Sequence, residues 1–221
     1  YTTSLAKMSK SERQRIKRLV KRSRLALPAI DAHRDMSVAD EEAYKPNWEV
    51  MAGAVDLAVE WALDKPPVVI TLTGGKPDQF DQLKSLFVER LGKLAQYAAS
   101  RGVTVALEPH VGGAVDRPDR ALWLLQQVKA PNLKINCDYS HFQAMGWSAE
   151  ETVPQLVPYT VHAHVKGAVG VYPDYRFVLP GEHDYDYAHY LRVMHKAGYD
   201  GFQSVGASYM VQRRPDYDPF A

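Results

Sequence analysis

Ile16, Leu19 and Val20 recur at helical spacing among charged residues, which predicts a helix over residues 11–24. The next stretch, 25–33, is apolar and then polar, the profile of a short buried strand. Val50, Met51, Ala54, Val55, Leu57, Ala58 and Trp61 return every three or four residues and predict a helix over 48–63, stopped by Pro66 and Pro67. Apolar residues 68–73 form a strand closed by Gly74 and Gly75, and a long helix over 80–100 ends at Gly102. The alternation continues: strand 103–107 before Glu108, helix 117–129, strand 133–137 before Asp138, helix 149–157, strand 160–165, an irregular loop over 167–184, helix 185–197 and strand 201–205.

Strand–helix alternation with short apolar strands is the signature of parallel βα units joined by right-handed crossovers. Polar residues fall at the carboxyl ends of successive strands: His33, Thr73, Glu108, Asp138 and His164. A βα barrel brings all such ends to one mouth, where active sites lie. An open doubly wound sheet would favour a glycine-rich phosphate loop after its first strand, and Gly74-Gly75-Lys76 lacks that pattern. The expected fold is therefore an α/β, TIM-type (β/α)8 barrel with six recognisable strands. A full barrel has eight strands and about 250 residues, so the first two βα units are the ones not represented. Residues 1–221 are expected to form a single domain, with a basic helix over 1–24 ahead of the first recognisable strand.

Charge sharpens this picture. Residues 1–24 hold nine Lys or Arg and one acid, so the remainder carries 18 basic against 25 acidic residues despite a net charge of +1. An acidic body offers no continuous track for nucleic-acid phosphates, and the basic run reads as a solvated helix face. No apolar run approaches the ~20 residues that span a membrane. Nor does an apolar segment follow the basic start as in a secretory signal. The lone Cys137 cannot form an internal disulfide; together these features predict a cytoplasmic chain. Unpaired strand edges in a six-strand barrel would favour association, so a homo-oligomer is an expectation as well.

Glu108, Asp138 and His164 close three different strands. Two carboxylates and an imidazole suit a divalent ion such as Mn²⁺, Co²⁺, Mg²⁺ or Zn²⁺. Taken singly, each has a plainer role open to it: Glu108 before Pro109 can cap a turn, Asp138 can cap the next segment, and His164 can be a satisfied core histidine. His141 follows Asp138 by three residues, which turns its side chain back over the strand end. His162, His164 and Lys166 share one strand face. A mouth lined by His33, His110, His141, His162 and Lys166 suits a polyhydroxylated substrate. Glu182 and Arg213 on neighbouring loops are further candidates, Arg213 for a carboxylate or phosphate.

Five segments then carry a resemblance: Ala106-Leu-Glu-Pro-His110, Asn136-Cys-Asp-Tyr-Ser-His141, Val161-His-Ala-His-Val-Lys166, Pro180-Gly-Glu-His-Asp184 and Ala197-Gly-Tyr-Asp-Gly-Phe202. In that order and spacing, over residues 25–206, the chain resembles the sugar phosphate isomerase/epimerase family, within the superfamily of xylose-isomerase-like barrels and type 2 AP endonucleases. The resemblance implies that Glu108, Asp138 and His164 bind metal. It makes His141 and Lys166 substrate contacts that act with Glu108 in catalysis. It also implies epimerisation or isomerisation of a ketose or related compound through an enediolate. A polyol dehydratase is a close alternative. A zinc AP endonuclease is a remote one, because its strand histidines and DNA footprint are missing. The family places a fourth metal-binding Glu on its last strand, where this chain has Gly206. That departure leaves open a sequence variant, a three-ligand centre completed by water, or a non-catalytic sugar- or metal-binding relative.

Overall fold

The computed structural model describes residues 8–218. Helix α1 (Lys10–Arg22) precedes β1 (Ala29–Asp31), α2 (Glu41–Trp61), β2 (Val68–Thr71), α3 (Phe80–Ala99), β3 (Val105–Leu107), α4 (Pro118–Val128), β4 (Leu133–Asp138), α5 (Tyr139–Ala144), α6 (Ala149–Leu156) and β5 (Thr160–Val165). Then come β6 (Gly167–Val171), β7 (Asp174–Val178), α7 (Tyr187–Lys196), β8 (Gln203–Val205) and α8 (Tyr209–Gln212). The predicted start of the basic helix, residues 1–7, lies outside the described residues.

Six strands form one parallel sheet in the order β1-β2-β3-β4-β5-β8. This is the sequence of neighbours in a curled βα barrel. Among the described residues, β1 and β8 each have only one strand partner. Alternation along the strands separates two environments. Ile30, Val69, Val105, Leu107, Ile135, Cys137 and Ala163 join the core beneath the helices. Asp31, Glu108, His162, His164 and Ser204 face the inside of the curl.

Three departures from the sequence reading bear on the site. Residues 167–184 were expected to be irregular, yet β6 and β7 pair antiparallel, with Ala168 opposite Phe177. Those two side chains are buried with Val111 and Ala144, so the hairpin is held by a small apolar cluster of its own. Helix α5 also starts directly at the end of β4, because Asp138 accepts hydrogen bonds from Ser140 N–H (3.1 Å) and Ser140 Oγ (2.6 Å). Helix α2 begins seven residues earlier than its apolar period suggests. Asp40 caps it through Ala43 N–H (2.8 Å), and Glu41 and Glu42 fill the first turn.

The loop between β1 and α2, which carries His33, is pinned by a buried cation. Arg90 of α3 donates through Nη1 to the carbonyls of Met36 (2.7 Å) and Val38, and through Nη2 to Glu41 (2.9 Å), with its guanidinium 3.6 Å from the Tyr44 ring centre. Arg90→Met removes the donors and leaves two inward carbonyls unpaired, each worth about 1–3 kcal/mol. The expected result is a loss of about 3 kcal/mol in urea unfolding. A loss below about 0.5 kcal/mol, the scale of a surface substitution, would show that the loop does not depend on this anchor.

Candidate active site

Glu108 leaves β3 with its N–H donating to Thr71 O (2.8 Å), which fixes it beside the neighbouring strand. Its side chain is buried. Oε1 accepts from His141 Nε2 (3.1 Å), and Oε2 accepts from His164 Nδ1 (3.0 Å) and Asn136 Nδ2. Burial pushes its pKa up, but the His141 and His164 hydrogen bonds and the charge of His33 outweigh that and hold the carboxyl well below its ordinary range.

Asp138 splits its two oxygens. Oδ1 caps α5, and Oδ2 faces the cluster, 3.5 Å from His141 Nε2 and 3.7 Å from His164 Nδ1. Burial opposes its ionisation, yet the Lys166 ammonium, first among the opposing charges, brings the pKa down to about 2. The capping role and the cluster role open to Asp138 in the sequence are thus both filled, one by each oxygen.

The imidazoles divide in the same way. Burial, reinforced by the charge of His141, lowers His110 to about 3; burial, reinforced by His164, lowers His162 to about 4; His141 is lowered by burial and Lys166. His164 is raised: burial opposes its charge, but the Glu108 hydrogen bond and the charges of Glu108, Asp138 and Asp31 together outweigh it. His162 is fully engaged: Nδ1 donates to Asn136 Oδ1 (2.9 Å) and Nε2 accepts from Ser204 Oγ (3.0 Å). It therefore ties β4, β5 and β8 together. His110 donates Nδ1–H to Val111 O (2.9 Å), and its ring lies 3.9 Å from that of His141. His33 Nε2 is buried without a hydrogen-bond partner, 3.8 Å from Glu108 Oε2 and 3.7 Å from Asp31 Oδ1.

These groups open on a cavity of about 550 Å³ lined by Asp31, His33, Glu108, His110, His141, His162, His164, Lys166, Phe177, Ser204, Gly206 and Tyr209, among others. A larger cleft of about 760 Å³ at the opposite end of the strands, lined by Leu25, Trp61 and Phe202, holds no comparable cluster. Two residues assigned to the substrate from sequence lie elsewhere. Glu182 is clamped by Arg214, with Oε2 2.9 Å from Nη1, in a separate depression that shares only Phe177 with the cavity. Arg213 bonds Tyr209 Oη and stacks on that ring at 3.8 Å, outside the cavity lining. Sequence reasoning missed Asn136, Asp31 and Ser204. The signal was available for Asn136, which shares the strand parity of Asp138.

The donor set fits a divalent ion. One ligand atom each from Glu108, Asp138 and His164 lie within 4.8 Å of one another. The atoms gathered there are buried carboxylate oxygens of Glu108 and Asp138 beside the His164 imidazole, the oxygen and nitrogen donors that divalent ions take. Glu108, His110 and His141 form a second trio of the same compactness, sharing Glu108. Among the described residues no helix is long and apolar enough to cross a membrane.

A match to the family described as xylose isomerase-like TIM barrel spans residues 2–217. The 3-dehydroshikimate dehydratase of Bacillus anthracis is 33% identical over 92 residues, 42% of this chain and 33% of that protein. The 2-oxo-tetronate isomerase of Cupriavidus necator is 27% identical over 166 residues, 71% of this chain and 60% of that protein. The chain thus spans between a third and three-fifths of the length of these curated relatives. A xylose isomerase-like barrel from Mycobacterium smegmatis, solved in complex with magnesium, superposes with a TM-score of 0.70 at 19% identity, covering 94% of this chain and 75% of that one. With the family match running nearly end to end over a six-strand parallel curl, the chain belongs to the xylose isomerase-like TIM barrel family.

Proposed function

We propose that this chain is a metal-dependent isomerase or epimerase of a ketose or related polyhydroxy carbonyl compound. The observation that carries the reading is the gathering of one ligand atom each from Glu108, Asp138 and His164, on or beside three adjacent strands, within 4.8 Å of one another, beside a cavity that Glu108 and His164 line. Glu108, Asp138 and His164 would hold a divalent ion, which would supply polarisation of a substrate carbonyl. On this reading Glu108 anchors the centre and also exchanges the substrate proton. Its low basicity at rest comes from the His141 and His164 hydrogen bonds. His141 and Lys166 then steady the substrate oxygens, and Phe177, edge-on to His141 at 5.1 Å, closes the cavity on the hairpin side.

The two relatives are named for substrates that carry a carboxylate, so hydroxy-keto acids belong in the first substrate panel beside neutral ketoses. The partner implied is a small carbohydrate or sugar acid rather than nucleic acid. A second copy of the chain is the natural cover for exposed apolar groups at the β8 edge, Phe202 and Val205. A dehydratase is the second reading, favoured by the 33% identity to the Bacillus anthracis enzyme.

The test is metal analysis of the purified chain, followed by turnover in D₂O. The expected outcome is about one divalent ion per chain, and deuterium incorporated next to the carbonyl of a product with the mass of an isomer. A product lighter by one water supports the dehydratase. A chain that binds no metal and exchanges no proton sinks both readings.

A further inference from the structure

Asp138 has one oxygen to offer a metal. Oδ1 is committed to Ser140, whose N–H and Oγ both bond it. Oδ2, the oxygen facing His164 and His141, is already held by the Lys166 ammonium in a direct ion pair. Lys166 is only 8% exposed. Its Nζ lies 3.4 Å from His141 Nε2 and 4.7 Å from the centre of the Phe177 ring. The oxygen an incoming ion needs is therefore the oxygen the ammonium occupies.

We propose that Lys166 is the resident counter-ion of the metal-free site, that a divalent ion takes Asp138 Oδ2 from it, and that the released ammonium then holds an anionic group of the substrate. This rests on the metal-centre reading above and adds to it a role for Lys166 before substrate arrives. In the metal-free chain the ammonium keeps a buried carboxylate ionised and aimed inward, so the ligands stay gathered. Once a dication shares that oxygen, two positive charges a few ångströms apart repel strongly in a buried site. Space lies beside the stem on the Gly206 side: a Cβ built on Gly206 would meet only Lys166 Cδ, at 3.7 Å. A swing to that side keeps the ammonium in the cavity, where the remaining carboxylate, Asp31, already lies within 4 Å of both His33 and His164. An anionic substrate group is the partner left for it.

The experiment is Mn²⁺ titration by calorimetry of the chelator-stripped chain, the Lys166→Met variant and the charge-retaining Lys166→Arg variant. Lys166→Met is expected to bind Mn²⁺ at least about tenfold more tightly than the wild type, with Lys166→Arg no tighter. Because the methionine variant leaves Asp138 without its cation and can fold poorly, the wild type is also labelled with acetic anhydride and read by mass spectrometry. Acetylation at Lys166 is expected to rise severalfold on adding Mn²⁺ and to fall again when glycolate is added as the anionic probe. Equal or weaker Mn²⁺ binding by folded Lys166→Met, or labelling that Mn²⁺ leaves unchanged, overturns the displacement while the metal centre stands. No Mn²⁺ binding by any form overturns the metal centre and this inference with it.

Discussion

Glu108→Gln is expected to strip the metal from the chain and lower kcat/KM by about 10⁴-fold or more. Two losses combine. The amide is a poor ligand for a hard divalent ion, so the carbonyl polarisation worth several kcal/mol goes with the metal. It is also no base, and general acid–base catalysis alone is worth about 10²–10⁴-fold. The replacement is close to isosteric, so the fold survives, but not free of charge. Three donors converge on the carboxylate, from His141, His164 and Asn136. A carboxamide presents an N–H₂ to one of them, so one buried donor goes unpaired at about 1–3 kcal/mol. The check is elemental analysis beside steady-state kinetics, with thermal unfolding to measure the fold. Retention of about one ion per chain would place the metal elsewhere, with the trio of Glu108, His110 and His141 excluded too, since it shares the same carboxylate.

Much of this site is legible in the chain because barrel geometry turns strand position into spatial position. Glu108 follows β3, Asp138 ends β4 and His164 is the penultimate residue of β5. Parallel register then brings them side by side, with Asp138 directly opposite His164. Period-two alternation likewise put His162 and Lys166 on the His164 face. What alternation cannot give is how each side chain spends its polar atoms. His162 looked available to a substrate, yet both of its nitrogens are taken by Asn136 and Ser204. Glu182 and Arg213 lie outside the cavity for a related reason. Strand alternation does not encode what holds them: Glu182 pairs with Arg214, 32 residues away, and Arg213 folds back on the Tyr209 ring one helical turn earlier. The β6–β7 hairpin was missed because its two short strands are broken by Gly167 and Gly170 and by the Tyr172-Pro173 turn, which read locally as loop. Its burial comes from Val111 and Ala144, distant in sequence.

Gly206→Glu is expected to tighten divalent-ion binding by at least about tenfold and to raise turnover by about 10²–10⁴-fold, the worth of a second acid–base group. The backbone is ready for it. The Gly206 N–H donates to Val165 O (3.1 Å), which continues the β5–β8 register one residue past β8. Its φ lies outside the left-handed region, so a side chain introduces no backbone strain, and the new Cβ meets only Lys166 Cδ at an ordinary 3.7 Å. From the lining of the same cavity as Glu108 and His164, a glutamate carboxylate enters a site short of one ligand. It also enters beside Lys166, so the ammonium gains a second carboxylate and gives up Asp138 Oδ2 more easily. The two effects separate in a double-mutant cycle. If the glutamate works only as a ligand, its gain in Mn²⁺ affinity is the same with Lys166 or with Lys166→Met. If part of the gain comes from drawing Lys166 away, that part vanishes once the lysine is gone. Unchanged metal affinity in Gly206→Glu would mean that position 206 does not reach the centre. Tighter binding with no turnover on the hydroxy-keto acid and ketose panel would instead support a chain that binds without catalysing.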